Sequence, residues 1–287
     1  MKIESHKIFR PDGSRRVALI TGGGFGIGRE LCRLFYEAGY NLVIASLVME
    51  ELTEIKNELD ARSGTQDVMV YQIDLSTPDA ALNVVGFCEE RKIHIDVLVN
   101  NAGFGLTGLF TDQSLNRLMQ LMTLNVVTTT ILCNAFGSKM RERGFGMILN
   151  VASTTSFQPL PFWAAYAATK SYVSSFTQAI ATEMRPFGVM VSCLYPGITR
   201  TKFLDTAGLH HSTKWWSVGS MIHHFAMNPV KVARIGFEGL MRGKRRIVPG
   251  GINKFHFYFI QLIPVALILA VVNMVMRRYR NPERHLN

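Results

Sequence analysis

Tyr166 and Lys170 stand four residues apart in Tyr166-Ala-Ala-Thr-Lys170, a spacing that sets a phenol and an amine on one face of a helix. A phenol ordinarily ionises near ~10. A cation close by favours the phenolate and lowers that value, which makes such a pair suited to moving a proton near neutral pH. Far upstream, Thr21-Gly-Gly-Gly-Phe-Gly-Ile-Gly28 follows a short β-branched run and opens a helical pattern. Glycines at 22, 26 and 28 let the backbone turn tightly and approach a pyrophosphate at a helix N-terminus, where free N–H groups and the dipole favour anions. A glycine cluster alone says little. Placed between a strand and a helix, it points to a dinucleotide.

These residues need a frame. Apolar runs occur at 16–22, 41–46, 67–74, 95–103, 146–153, 189–197 and 245–250, with room for helices between them. They are nearly continuous rather than alternating, which suits parallel strands buried on both faces. The expected fold class is α/β, a Rossmann-type doubly wound sheet of about seven strands. The expected organisation is an N-terminal extension over 1–15, a catalytic domain over 16–250, and an apolar, basic-flanked tail over 251–287.

The glycine spacing is T-G-x-x-x-G-x-G, Asn100-Asn-Ala-Gly103 ends the fourth strand, Ser153 closes the fifth, Tyr166 and Lys170 follow, and Pro196-Gly197 closes the sixth. Together these resemble the short-chain dehydrogenase/reductase superfamily over roughly 16–250. More narrowly, NNAGFGLTGLF, YPGITRTKF and the apolar tail resemble its microbial lipid-type reductases, and more distantly the 3-oxoacyl-CoA and 3-ketodihydrosphingosine reductases. The resemblance implies ketone reduction by hydride transfer, with Tyr166 giving the proton to the carbonyl oxygen, Ser153 holding that oxygen, and Lys170 tuning the phenol and binding ribose. It also implies that Asn125 supports a water between Lys170 and bulk solvent. The implied cofactor contacts are Thr21, Gly22, Gly24, Phe25, Gly26, Ile27 and Gly28 in the loop, then Ser46, Asp74 and Leu75. Asn101, Ala102, Gly103, Tyr166, Lys170, Pro196, Gly197, Ile198, Thr199 and Thr201 complete them. Asp74 matches the contact to the adenine amino group, while Ser76 is the expected cap of the next helix.

An acid at the end of the second strand selects NAD and a base selects NADP. Here Ala45-Ser46-Leu47 offers neither, and the absence of an acid favours NADP(H). The family's substrate lid falls at about 199–228. Trp215, Trp216, Met221, Ile222, Phe225 and Met227 make it greasy, which suits a small hydrophobic ketone or alcohol. His210-His211 and His223-His224 do not make a metal site, because adjacent side chains diverge and no acidic or cysteine cluster completes one.

The chain carries a net charge of +10, and much of the excess lies late, in Arg242–Arg246, Lys254 and Arg277–Arg280. No nucleic-acid motif accompanies it, so anionic lipid is the expected partner. The four cysteines are far apart and sit in apolar segments, as small core residues of a reducing compartment do. The first residues contain no apolar signal core, which places the catalytic body facing the cytosol. Residues 255–276 contain no Asp, Glu, Lys or Arg. One helix of that length would rise about 33 Å against a bilayer core of ~30 Å. His256, Gln261, Pro264 and Asn273 interrupt it, so an in-plane or hairpin anchor fits as well as a span, and a buried helix at a homo-oligomer interface is the soluble alternative. On this reading the chemistry lies between Thr21 and Thr201 and does not need the tail. The leading expectation is a membrane-associated NADPH-dependent reductase of a lipid-like ketone, or the reverse alcohol dehydrogenase. A soluble NAD-dependent hydroxysteroid-type dehydrogenase and a non-catalytic cofactor-binding scaffold are the alternatives.

Overall fold

The computed structural model describes residues 4–201, 226–260 and 262–280. Seven parallel strands form one sheet in the order β3-β2-β1-β4-β5-β6-β7. They are β1 (Val17–Thr21), β2 (Asn41–Ser46), β3 (Val68–Gln72), β4 (Ile95–Asn100), β5 (Gly146–Val151), β6 (Val189–Leu194) and β7 (Arg246–Ile247). The expected doubly wound sheet is therefore present, strand for strand. The helices are α1 (Ser5–Ile8), α2 (Gly26–Glu37), α3 (Met49–Asp60), α4 (Ala80–Glu90), α5 (Leu115–Met122), α6 (Thr129–Arg143), α7 (Ala164–Met184), α8 (Pro229–Met241), α9 (Gly251–Ile260) and α10 (Val265–Arg280).

Side chains alternate across a strand, so each apolar run feeds two cores. Ala18 and Ile20 join Leu31 and Phe35 of α2, Leu52 and Ile55 of α3 and Phe237 of α8 on one face. Val17 and Leu19 join Val84 of α4, Leu132 and Phe136 of α6 and Ala181 of α7 on the other. The order reverses between β1 and β4, and the crevice beyond their carboxyl ends is where open α/β sheets bind ligands.

The segment before β1 packs against the opposite end of the sheet. Buried Asp96 accepts from Arg10 Nη2 at 2.6 Å, Arg16 Nη1 at 2.9 Å and the Val17 N–H at 3.0 Å. Tyr40 donates its hydroxyl to the Lys7 carbonyl at 2.5 Å.

The tail departs from a single helix. α9 ends at Ile260 and α10 begins at Val265, with Leu262–Pro264 between them. Pro264 has no N–H to give to a preceding turn, and its ring pushes Ile263 out of helical geometry. The apolar part of α10, Val265–Met274, is too short to cross a bilayer by itself. The continuous stretch Leu115–Arg143 is long and apolar enough, but it is α5–α6, with Leu132, Phe136 and Met140 in the core against the sheet. Most of the expected lid, with its tryptophans and both histidine pairs, lies outside the described residues.

Candidate active site

The carboxyl ends of β1 and β4 are tied together before any ligand is considered. Thr21 Oγ1 accepts from the Asn101 and Ala102 N–H groups at 3.0 and 3.1 Å and donates to the Val99 carbonyl at 3.3 Å. Asn101 Nδ2 donates to the carbonyls of Thr21 at 3.1 Å and Gly22 at 3.0 Å. The glycine loop passes through this lock. Gly22 and Gly26 have φ of +65° and +58°, the left-handed region. Gly28 fits for a different reason: a Cβ there would stand 2.1 Å from the Gly22 carbonyl oxygen. Phe25 occupies the N-cap of α2 without a side-chain bond to the first turn, whose N–H groups thus remain for an anion.

A cavity of about 630 Å³ opens above this loop. Of the sequence-derived contacts, Gly22, Phe25, Gly26, Ile27, Ser46, Asp74, Leu75, Asn101, Ala102, Gly103, Ser153, Tyr166, Lys170, Pro196, Gly197, Ile198, Thr199 and Thr201 line it. Thr21, Gly24, Gly28 and Asn125 do not, and they act from behind the wall. A dinucleotide fits these residues. Its pyrophosphate would lie over the side-chain-free backbone at the start of α2, with adenosine toward Ser46 and Asp74 and nicotinamide toward Pro196–Thr199. Asp74 makes a local turn, accepting from the Ser76 N–H at 2.9 Å and the Ser76 hydroxyl at 2.6 Å. Ser76 is therefore not the cap of α4, whose N-cap position is Asp79. The hydroxyl of Thr128 reaches the Leu75 carbonyl at 2.9 Å and fixes that part of the wall.

The catalytic half rests on β5 and α7. Ser153 leaves β5 in extended geometry, and its Oγ accepts from the Thr155 N–H at 3.1 Å, starting a short 3-10 turn over Thr154–Phe157. Tyr166 is buried in the first turns of α7, with the Ser153 side chain near enough to favour its ionised form. Burial pushes the phenol up to about 12, and the Ser153 side chain offsets only part of this. Lys170 Nζ lies 6.0 Å from the ring centroid; the expected lowering of the phenol by this amine together with the charge of an oxidised nicotinamide concerns the loaded site. Lys170 donates to the Val151 carbonyl at 2.9 Å, and burial brings the amine down to about 8.

Asn125 sits in one turn of wider π-helix, Thr123–Thr128, between α5 and α6. Such turns recur at functional sites because they re-aim a side chain. Asn125 is not bonded to Lys170. It accepts from the Phe104 N–H at 3.3 Å and donates to the Phe104 carbonyl at 3.1 Å and to Thr169 Oγ1 at 3.0 Å. Its Oδ1 and Lys170 Nζ nonetheless converge, at 3.0 and 3.2 Å, on the point where a Cβ of Gly103 would be.

Several wall residues escaped the sequence reading. Phe104, Leu124, Leu160 and Trp163 line the cavity with apolar surface, Trp163 packing edge-on against Tyr166 at 5.5 Å. Arg117 stacks over Phe104 with its guanidinium carbon 4.6 Å from the ring centroid. Glu51 of α3 comes close on the adenosine side: a Cβ at Gly24 would stand 2.9 Å from its carboxylate oxygen and 3.4 Å from Ser46 Oγ. The end of β2 has no acid of its own, but the next helix brings one.

Comparison with known proteins agrees with this geometry. The family model for short chain dehydrogenases matches residues 16–211. The chain is 26% identical over 278 residues to dehydrogenase/reductase SDR family member 7B of Danio rerio, covering 96% of this chain and 90% of the relative. A short-chain dehydrogenase from Sphingobium yanoikuyae, solved in complex with NADPH, superposes with a TM-score of 0.74 at 24% identity, covering 95% of this chain and 97% of the other. The bulky-bulky ketone specific alcohol dehydrogenase from Comamonas testosteroni superposes with a TM-score of 0.70 at 23% identity, covering 95% and 96%. At these identities the solved structures establish the fold.

Proposed function

The chain belongs to the short-chain dehydrogenase/reductase family and is an NAD(P)-dependent oxidoreductase, and on that footing we propose that it reduces a hydrophobic, lipid-like ketone to the alcohol at a membrane surface. The observation that carries the reading is that Tyr166, Ser153 and Lys170 line one cavity with the apolar Phe104, Leu124, Leu160 and Trp163. When bound, a reduced nicotinamide supplies hydride to the carbonyl carbon. Ser153 and Tyr166 hold the carbonyl oxygen, and as negative charge grows there the Tyr166 hydroxyl donates its proton, leaving the alcohol. Lys170 stabilises the resulting phenolate and holds ribose hydroxyls. Asn125 fixes the Phe104 backbone and, through Thr169, the helix that carries Tyr166 and Lys170.

The proposed preference is NADPH over NADH, by a small margin. The absence of an acid at Ser46–Val48 favours it, and the phosphate-bearing cofactor solved with the Sphingobium relative is consistent with it. Glu51 opposes a 2′-phosphate and keeps the margin narrow. Two features support membrane association of the cytosol-facing protein. α9, α10 and the turn between them expose Ile252, Phe255, Tyr258, Phe259, Leu262, Val265 and Leu267, and exposed Arg242, Lys244, Arg245 and Lys254 lie in and just before α9. Homo-oligomerisation is supported by exposed Leu115, Met119 and Tyr172 on the packed helices α5 and α7.

The test is turnover of a panel of hydrophobic ketones with both cofactors, with Tyr166→Phe as control. The variant is expected to bind NADPH, seen by its fluorescence, and to lose about 10²–10⁴-fold in kcat. A variant that keeps more than about a few per cent of the rate refutes the mechanism.

A further inference from the structure

α9 is built inside out. Its inward stripe is Asn253, His256, Phe257 and Ile260, at the i, i+3, i+4, i+7 spacing of one helix face. Both uncharged polar side chains of that helix that could hydrogen-bond from within the stripe, Asn253 and His256, point toward the protein. The outward positions Ile252, Phe255, Tyr258 and Phe259 are 50–70% exposed, with Phe255 and Phe259 stacked at 5.3 Å. A water-facing helix has the opposite pattern.

The inward stripe ends on the catalytic loops. Phe257 is buried edge-on against Phe157, with centroids 4.6 Å apart, and Phe157 packs on Tyr195 at 5.2 Å. Phe157 is the last residue of the 3-10 turn that Ser153 caps. Ser156 in that turn donates to the Lys170 carbonyl at 2.9 Å, and Tyr195 shares a 2.9 Å bond with Ser174 of α7. Asn253 donates to the Pro249 carbonyl at 2.8 Å and fills the space beside Gly197, where a Cβ would stand 2.5 Å from its Nδ2. One helix thus braces the turn that sets Ser153 and the loop that would face the nicotinamide. The tail reaches the site that the sequence reading had placed wholly upstream.

We propose that α9 couples the membrane surface to the active site: an anionic lipid surface takes its outer face, and Phe257 and Asn253 on the inner face hold Ser153 and Gly197 in productive positions, so that docking raises turnover. This rests on the membrane reading above. The occupant is anionic lipid rather than a second copy because cations border the face: Lys254 lies on α9, and exposed Arg242, Lys244 and Arg245 precede it. Phe257 and Asn253 are positioning residues and touch no reacting atom.

The experiment uses the full chain, a water-soluble ketone that needs no membrane delivery, and vesicles of phosphatidylcholine with or without phosphatidylglycerol. Wild type should sediment with the anionic vesicles and gain at least about threefold in kcat, with KM and NADPH affinity unchanged. Phe257→Ala should still sediment and bind NADPH, but lose about tenfold in kcat and all stimulation, since small misplacement of a catalytic group costs that much or more. Phe257→Leu should recover most of the rate, and it serves if the alanine variant does not fold. Sedimentation without any change in kcat, or Phe257→Ala turning over like wild type, overturns the coupling while leaving membrane binding intact. Wild type that ignores vesicles and forms a dimer broken by Phe255→Glu overturns both, and assigns the face to a second copy.

Discussion

Lys170 offers a direct measurement of what it takes to hold a cation inside this site. Its residue is 5% exposed, its Nζ has the Val151 carbonyl at 2.9 Å, and burial lowers the amine from an ordinary 10.5 to about 8. Below pH 8 the folded and unfolded chains both carry the proton, and the folded state bears the full desolvation penalty. Between pH 8 and 10.5 the unfolded chain keeps a proton that the folded chain has lost, so stability rises with pH across that window. At ~1.36 kcal/mol per pH unit, the gain between pH 7.5 and 10 is about 2–3 kcal/mol. Tyr166 works the other way only above pH 10, because its folded value lies near 12 and the unfolded phenol titrates first. Urea unfolding of the wild type and of Lys170→Met, at several pH values from 7.5 to 10, isolates the effect. The variant lacks the titrating group, so the stability of the wild type relative to it should climb by about 2–3 kcal/mol over the range. Curves that stay parallel to within about 0.5 kcal/mol would refute a desolvated Lys170.

Three further perturbations read other parts of the molecule. Gly28→Ala should abolish dinucleotide binding in a fluorescence titration while the chain stays folded, because the new Cβ would meet the Gly22 carbonyl oxygen at 2.1 Å and the loop would have to open; retained affinity would mean that the loop is not the cradle. Glu51→Gln should raise kcat/KM for NADPH by about tenfold and leave NADH nearly unchanged, since unit charges roughly 6 Å apart at a dielectric of ~20 interact by nearly 3 kcal/mol before solvent screening. An equal change for both cofactors would place Glu51 away from the 2′ position. Asp96→Ala should cost about 3–5 kcal/mol in denaturant unfolding, because it leaves Arg16 buried beside an empty partner position. A loss under about 1 kcal/mol would show that water replaces the carboxylate there.

The sheet was legible because each strand is a nearly unbroken apolar run, and its ends were legible because chemistry sits just past them. The run read over 95–103 is strand only to Asn100, and the run over 146–153 only to Val151. In both, the surplus residues are the loop that faces the cavity. Pairings between distant positions were out of reach. Nothing near Asp96 announces Arg10 and Arg16, nothing near Ser46 announces Glu51, and nothing in the tail announces that Phe257 seats against Phe157. Periodicity reports which face a residue occupies, and it is silent about what that face meets. The π-turn around Asn125 was hidden for a related reason: it leaves the composition of a helix intact and shifts only its hydrogen bonding.

Burial drives the two ionisable groups of the site apart, the phenol up to about 12 and the amine down to about 8. At neutral pH Tyr166 is an intact acid, and it lines the same cavity as the Ser153 hydroxyl that would share the substrate oxygen. Reduction of a ketone consumes a proton at that oxygen, and a protonated phenol beside it can supply one. Oxidation of an alcohol needs the phenolate, which this pocket disfavours until further positive charge enters beside it.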